Sequence, residues 1–198
     1  MMDRFPKVAA AIAAAVFAIA GQATVSHAAD YTLQDAKIVL LQSASGNQLL
    51  RLKTRDGSIP MPAGGPDGVL IEVFSSNQGT SGSVSLPAGM GDDGWKARDT
   101  RNGMLYRFSN RQAPEGGTAV QKLVLSEGRG LVIKAKDTGL ALDGYLGSVG
   151  VRVTMGTSRA CAKFFGSEAV DRPGRYTAKR SVEFLADCND LTLGGSAQ

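Results

Sequence analysis

The chain has 198 residues, with 22 lysines and arginines against 18 aspartates and glutamates, and a net charge of +4. Because these charges are dispersed along the sequence, the composition predicts a mixed, solvated surface and disfavours a nucleic-acid partner. The one histidine, His27, lies in a segment that we expect to be removed, which excludes histidine-dependent catalysis and histidine-ligated zinc in the mature chain.

The N-terminal segment has the organisation of a secretory signal peptide. Basic residues precede Val8, an uncharged alanine-rich run extends from Val8 to Ala20, and small residues occupy Ser26 and Ala28. The apolar run is shorter than the about 20 residues that span a bilayer, so no membrane anchor is expected after cleavage. We predict a signal peptide over residues 1–28, cleaved after Ala28 or Ala29, and export to the periplasm or the extracellular medium.

Residues 29–198 are predicted to form one all-β domain with an antiparallel β-sandwich fold. Short runs of β-branched and aliphatic residues alternate with polar residues and end at Gly, Pro, Asn, Asp or Ser. Alternation leaves one face of each strand apolar, so two sheets should close over a common core. The predicted strands are Ala36–Gln42, Gln48–Arg55, Val69–Ser75, Ser81–Leu86, Trp95–Arg98, Met104–Asn110, Ala119–Ser126, Leu131–Lys136, Gly139–Leu142, Ser148–Met155 and Arg159–Phe165.

Two parts of the sequence share the same order of predicted hairpins. In the first part, one hairpin spans residues 38–53 and a second spans 69–86. In the second part, the corresponding hairpins span 123–136 and 148–165. This weak internal repeat predicts a sandwich made of two related, hairpin-rich halves.

Cys161 and Cys188 are the only cysteines of the chain. A pair of cysteines in an exported protein is typical of a structural disulfide, and we predict that these two residues are joined. The bridge should tether a C-terminal segment that has few aliphatic residues between Gly166 and Ala178 and little strand pattern of its own.

Carboxylates and aromatic residues supply the remaining candidates for a site. By residue type alone, the candidates for a pair of glycosidase carboxylates are Asp92, Asp93, Glu72, Asp137 and Asp143. Asp92 and Asp93 lie in a glycine-rich turn that is typical of solvated acids, and a calcium site is left open there or at Asp187, Asn189 and Asp190. Trp95 and Tyr145 are candidate platforms for stacking on a sugar, although a single tryptophan at the start of a strand is also typical of a core residue. None of these patterns has the spacing of a known metal loop or active site, so no catalytic residue, metal or cofactor is predicted.

The order of short motifs resembles a family of exported bacterial β-rich proteins to which no activity is assigned. The motifs are Trp95-Lys96, Tyr106-Arg107-Phe108, Gly130-Leu131-Val132-Ile133-Lys134-Ala135, Arg159-Ala160-Cys161-Ala162-Lys163-Phe164, and a second cysteine, Cys188, after Asp171-Arg172-Pro173-Gly174-Arg175-Tyr176. The resemblance extends from about Lys37 to Cys188. It implies export, a β architecture and the disulfide, and it implies no activity.

These observations predict an exported, non-enzymatic β module that binds or scaffolds an unidentified ligand or protein at the cell envelope or outside the cell. The alternative is a carbohydrate-binding protein, or a carbohydrate-active protein that uses carboxylates in place of histidine. A buried Trp95 would favour the first function, whereas an accessible Trp95 beside Tyr145 would favour the second.

Overall fold

The computed structural model describes residues 29–59, 61–62, 65–66, 68–77, 79–86, 94–110, 119–165, 169–180 and 187–191. Over these residues the chain forms thirteen β-strands and one short 3-10 helix. The strands are β1 (Ala29–Thr32), β2 (Lys37–Gln42), β3 (Gln48–Lys53), β4 (Val69–Ser75), β5 (Gly79–Leu86), β6 (Trp95–Thr100), β7 (Gly103–Ser109), β8 (Val120–Ser126), β9 (Gly130–Lys136), β10 (Val149–Met155), β11 (Ser158–Phe164), β12 (Ala169–Arg172) and β13 (Arg175–Ala178), and the helix is Cys188–Leu191.

The strands form two sheets, and the predicted β-sandwich is confirmed. The small sheet has five strands in the order β1-β11-β10-β4-β5. The large sheet has eight strands in the order β12-β13-β2-β3-β9-β8-β7-β6. Neighbouring strands are antiparallel, except that β1 runs parallel to β11.

Alternate residues of the strands face a shared apolar core. In β10, Val149, Val151 and Val153 are fully buried, while Arg152 and Thr154 on the opposite face keep part of their surface exposed. Each fully buried aliphatic side chain of this kind contributes about 1.5–3 kcal/mol. The core therefore holds the two sheets face to face, with its largest aliphatic contributors being Leu33, Ile38, Leu40, Leu50, Leu52, Ile71, Leu123, Leu125 and Leu131.

The four hairpins of the predicted halves divide equally between the two sheets. The β2–β3 and β8–β9 hairpins lie in the large sheet and are joined where β3 pairs with β9. The β4–β5 and β10–β11 hairpins lie in the small sheet and are joined where β4 pairs with β10. Both junctions are antiparallel, so each half supplies one hairpin to each sheet in the same way.

Parts of the strand prediction are wrong. Residues Gly139–Leu142 do not form a strand, because Gly139 has a φ of 69° and the following chain instead buries Leu140 and Leu142 from a loop. The C-terminal segment contains the β12–β13 hairpin, although its apolar pattern is weak. Its main anchor is Tyr176, which is fully buried and donates its hydroxyl to the carbonyl oxygen of Phe164 at 2.9 Å.

The predicted disulfide between Cys161 and Cys188 is confirmed, with 5.7 Å between the two Cα atoms. It joins β11 to the 3-10 helix and brings Leu191 against Phe74 in a small apolar cluster on the outer face of the small sheet. The disulfide indicates an oxidising compartment. No helix within the described ranges is long and apolar enough to cross a membrane.

Arg159 connects the first described strand to the C-terminal segment. Its guanidinium donates to both carboxylate oxygens of Asp30 at 2.6 Å and to Oδ1 of Asn189 at 2.8 Å. The amide of Cys188 donates to the same Asp30 carboxylate at 3.0 Å. Burial raises the pKa of Asp30, but the hydrogen bonds from Arg159 and Cys188 outweigh burial and lower that pKa to about 2. We name these contacts, together with the disulfide, the terminal clamp.

Candidate anion-binding site

Lysine and arginine dominate the outward-facing positions of the large sheet. Residues that pair directly across strands lie on the same face, so the strand registers and the burial pattern fix which side chains point outward. Within the described strands of this sheet, no aspartate or glutamate occupies an outward position. The sheet therefore presents a surface of one charge sign.

Cations occur on every strand from β2 to β6 of this order and directly after β13, and they form what we call the cationic band. Lys179 follows Ala178, which pairs with Ile38, and therefore lies beside Lys37. All members of the band are exposed except Lys134, which is half-buried. The band consists of Lys179, Lys37, Lys53, Arg51, Lys134, Lys122, Arg107 and Lys96.

Several of these cations are directly opposite one another. The cross-strand pairs are Lys37 with Lys53, Arg51 with Lys134, Lys122 with Lys134, and Lys96 with Arg107. Like charges placed directly opposite destabilise a sheet, by an amount of the order of the roughly 0.2–1 kcal/mol that favourable pairs contribute. The fold therefore carries a repulsion that stability alone does not explain.

The carboxylates near these strands are engaged elsewhere. Among the described residues, the ion pairs join Arg152 to Glu72 and Arg159 to Asp30 within the small sheet, and Arg159 to Asp187 in the C-terminal segment. Asp171 accepts hydrogen bonds from the amides of Leu146 and Gly147 at 3.0 and 2.7 Å. These acids thus stabilise turns and the small sheet, and among the described carboxylates Asp35 lies beside the cationic band, in the cleft described next.

At one corner of the large sheet the band ends in a cleft of about 210 Å³. Five cations and one carboxylate line this cleft, which leaves a strong positive excess. The lining residues are Asp35, Lys37, Lys53, Arg55, Lys179 and Arg180.

Hydrogen bonds hold the walls of this basic cleft in place. The carboxylate of Asp56 accepts from the amide of Gln34 at 3.0 Å and from the amide of Ser58 at 2.9 Å. The hydroxyl of Thr54 donates to the carbonyl oxygen of Gln34 at 2.8 Å. Burial raises the pKa of Asp56, but these hydrogen bonds outweigh it and the pKa is lowered. The Asp35 turn is thus fixed against the end of β3, and the cleft is preformed.

The aromatic residues that the sequence nominates do not form a platform. Trp95 is only 6 % exposed and packs against Phe108, with 5.3 Å between the ring centroids, so it is a core residue and its assignment as a sugar contact is corrected. The side chain of Tyr145 is 60 % exposed, and the carbonyl oxygen of Tyr145 accepts a hydrogen bond from the side chain of Asn77. Asp92 and Asp93 lie outside the described residues.

The mixed surface that the sequence predicts does not occur on the large sheet. Along the chain, basic residues alternate with apolar ones, and acidic residues occupy the turns between them. The basic residues therefore look dispersed in the sequence although they lie together on the folded sheet. The available signal was the alternation in β3, where Arg51 and Lys53 face away from Leu50 and Leu52. The alternation does not show which strands are neighbours, so it could not predict that Lys37 lies opposite Lys53 or that Lys134 lies opposite Arg51.

No group of three or more His, Cys, Asp or Glu side chains suited to a metal ion occurs in the described part of the chain. The fold and the site define a β-sandwich protein with a cationic outer face. No family model, curated protein or solved structure matches this chain.

Proposed function

We propose that the mature chain is an exported, non-enzymatic module that binds an anionic ligand, and that the basic cleft is the primary binding site. The observation that carries the proposal is the row of Lys179, Lys37 and Lys53 on adjacent strands, two of them directly opposite each other. A bound anion would neutralise this repulsion and gain from every cation around it. The ligand therefore supplies the negative charge that the sheet lacks.

The composition of the cleft supports binding over catalysis. Its only carboxylate is Asp35, so it offers no pair of acids on opposite sides of a substrate. The buried position of Trp95 also removes one basis for the alternative of a protein that stacks on neutral sugars. Charge, and not aromatic stacking, is the recognition chemistry that this surface provides.

Neutralising two cations of the cleft tests the proposal. The Lys37→Gln plus Lys53→Gln variant should bind inorganic phosphate and galacturonate about tenfold more weakly, because two exposed ion pairs are lost. Binding is measured by chemical-shift titration, with Lys163→Gln on the small sheet as the matched control. The free energy of unfolding of the same double variant, measured by chemical denaturation, should be about 0.5 kcal/mol higher than that of wild type, because the cross-strand repulsion is removed. Unchanged anion affinity in the double variant would refute the cleft as the site.

Export makes a separate prediction about the mature end of the chain. Cleavage after Ala28 or Ala29 leaves an N-terminus at Ala29 or Asp30. Mass spectrometry of the protein recovered from the envelope or the medium should find one of these two termini. An intact Met1 in that fraction would contradict export by signal cleavage.

A further inference from the structure

We infer that the cationic band is the binding surface for a linear acidic polysaccharide, a sugar polymer with repeated carboxylates, that lies across the strands of the large sheet with one end in the basic cleft. This inference rests on the proposed function, because the cleft supplies the first contact. It goes further by assigning the rest of the sheet face to the same ligand and by naming the chemical class of that ligand.

The spacing of the band fits a chain of regularly placed anions. Each strand from β2 to β6 of the sheet order, and the residue directly after β13, contributes at least one cation, and neighbouring strands are about 4.8 Å apart. The band therefore extends over six strand intervals, or about 29 Å. Where Val132 and Val124 interrupt the row of Lys53, the adjacent row supplies Lys134 and Lys122. A ligand that crosses the strands meets a cation at every step.

The shape of a twisted sheet favours a flexible chain over a membrane. Adjacent strands rotate by roughly 20–25° relative to one another, so the direction of the surface changes by more than 100° along the band. A flat lipid surface touches only part of such a face, whereas a flexible polymer follows it. The only large apolar side chain that is exposed at an outward position of the described large-sheet strands is Val170, so the face offers little to insert among acyl chains.

The side-chain types disfavour a single-stranded nucleic acid. Proteins that bind such strands without sequence preference combine cations with aromatic side chains on which the bases stack. The aromatic residues Trp95, Tyr106, Phe108 and Tyr176 of the large sheet all face the core. Outward positions of its described strands carry cations, aliphatic residues and small polar residues, which suits carboxylates on a sugar backbone.

Binding of oligogalacturonates of increasing length tests the inference. With purified mature protein in 0.15 M salt, a decamer should bind about tenfold more tightly than a trimer, because it adds several ion pairs beyond the cleft. The Lys122→Gln plus Lys134→Gln variant should lose most of that gain while it retains the affinity of wild type for the monomer. Lys163→Gln removes one charge from the small sheet, and because packed sheets lie about 10 Å apart while the Debye length is about 8 Å at this salt, the variant should bind every length as wild type does.

The outcomes separate the two proposals. If affinity is independent of length, or if the Lys122 and Lys134 substitutions have no effect on the decamer, the polysaccharide surface is refuted while the cleft stands. If the Lys37→Gln plus Lys53→Gln variant binds the monomer as wild type does, the proposed function itself fails. Equal binding of neutral dextran, or tighter binding of phosphatidylglycerol vesicles or a single-stranded DNA of equal charge, would overturn the choice of an acidic polysaccharide.

Discussion

Replacing Arg159 by methionine should lower the free energy of unfolding by about 3 kcal/mol, because the substitution leaves the carboxylates of Asp30 and Asp187 without their cation. Arg159 is 8 % exposed and donates both to Asp30 at the start of β1 and to Asn189 in the C-terminal segment. Removing one member of a partly buried network costs more than the network contributes, since the remaining charge keeps its desolvation penalty. Chemical denaturation at pH 7 measures the loss.

A second arginine on the same sheet provides the control. Arg152 makes a bidentate ion pair with Glu72 on β4, at 2.7 and 3.0 Å, and contacts neither terminus through that pair. Arg152→Met should therefore destabilise the protein but increase hydrogen exchange at residues 29–32 and 187–191 less than Arg159→Met does. Equal exchange in the two variants would show that Arg159 does not hold the termini.

The pH dependence of stability gives an independent test of the clamp. The folded-state pKa of Asp30, at about 2, lies below the ordinary pKa of an aspartate, so this carboxylate stabilises the fold above about pH 4 and loses that contribution as the pH falls towards 2. The contribution is about 1–2 kcal/mol after allowance for solvent screening. Because Arg159→Met lacks it, the unfolding free energies of wild type and variant should converge as the pH is lowered from 5 to 2.

The sandwich could be predicted because its information is local. In β10 and β3 the alternation of apolar and polar residues identifies both the strand and its buried face. The strand predicted at Gly139–Leu142 is wrong for the same reason, because Leu140 and Leu142 have the spacing of a strand but are buried from a loop. The hairpin β12–β13 was missed because its stability comes from the burial of Tyr176 and from pairing with β2, neither of which a four-residue strand reveals.

The site could not be predicted because it depends on strand order. Lys37 and Lys53 are close in sequence, but Lys122 and Lys179 reach the same face only through the order β13-β2-β3-β9-β8. Dispersed charges in the sequence therefore become one cationic surface, and the mixed surface expected from composition is absent there. The assignment of Trp95 as a sugar contact failed because its position beside a loop does not show which way the side chain points. The side chain packs against Phe108 in the core instead.

Removing the disulfide should have an effect of similar size on the same end of the molecule. In the chain-entropy model, closing the loop between Cys161 and Cys188, which are separated by 27 residues, stabilises the fold by about 3.5 kcal/mol. The Cys161→Ala plus Cys188→Ala variant should therefore melt about 10 °C lower. Alanine is preferred to serine because both positions are almost completely buried and a hydroxyl there would add a desolvation cost.

The C-terminal segment should also become the first site of proteolysis in this variant. Without the bridge, the segment is held by Arg159, by the amide of Cys188 on Asp30, and by Leu191 against Gly150, where a Cβ would come within 2.8 Å of the leucine. Limited proteolysis followed by mass spectrometry should detect cleavage there before cleavage in the β8–β9 hairpin. Unchanged melting and proteolysis, or two free thiols in the exported protein, would contradict the assigned role of the bridge.

Combining the disulfide substitutions with Arg159→Met distinguishes one clamp from two independent contacts. Both changes release the same C-terminal segment, so once the first has freed it, the second has less ordered structure to lose. The combined variant should therefore be destabilised by less than the sum of the separate losses, by about 1 kcal/mol or more, as contacting residues in one network commonly show. Additive losses would mean that the bridge and the guanidinium hold separate parts of the chain, and that β1 stays paired with β11 when the C-terminal segment is released.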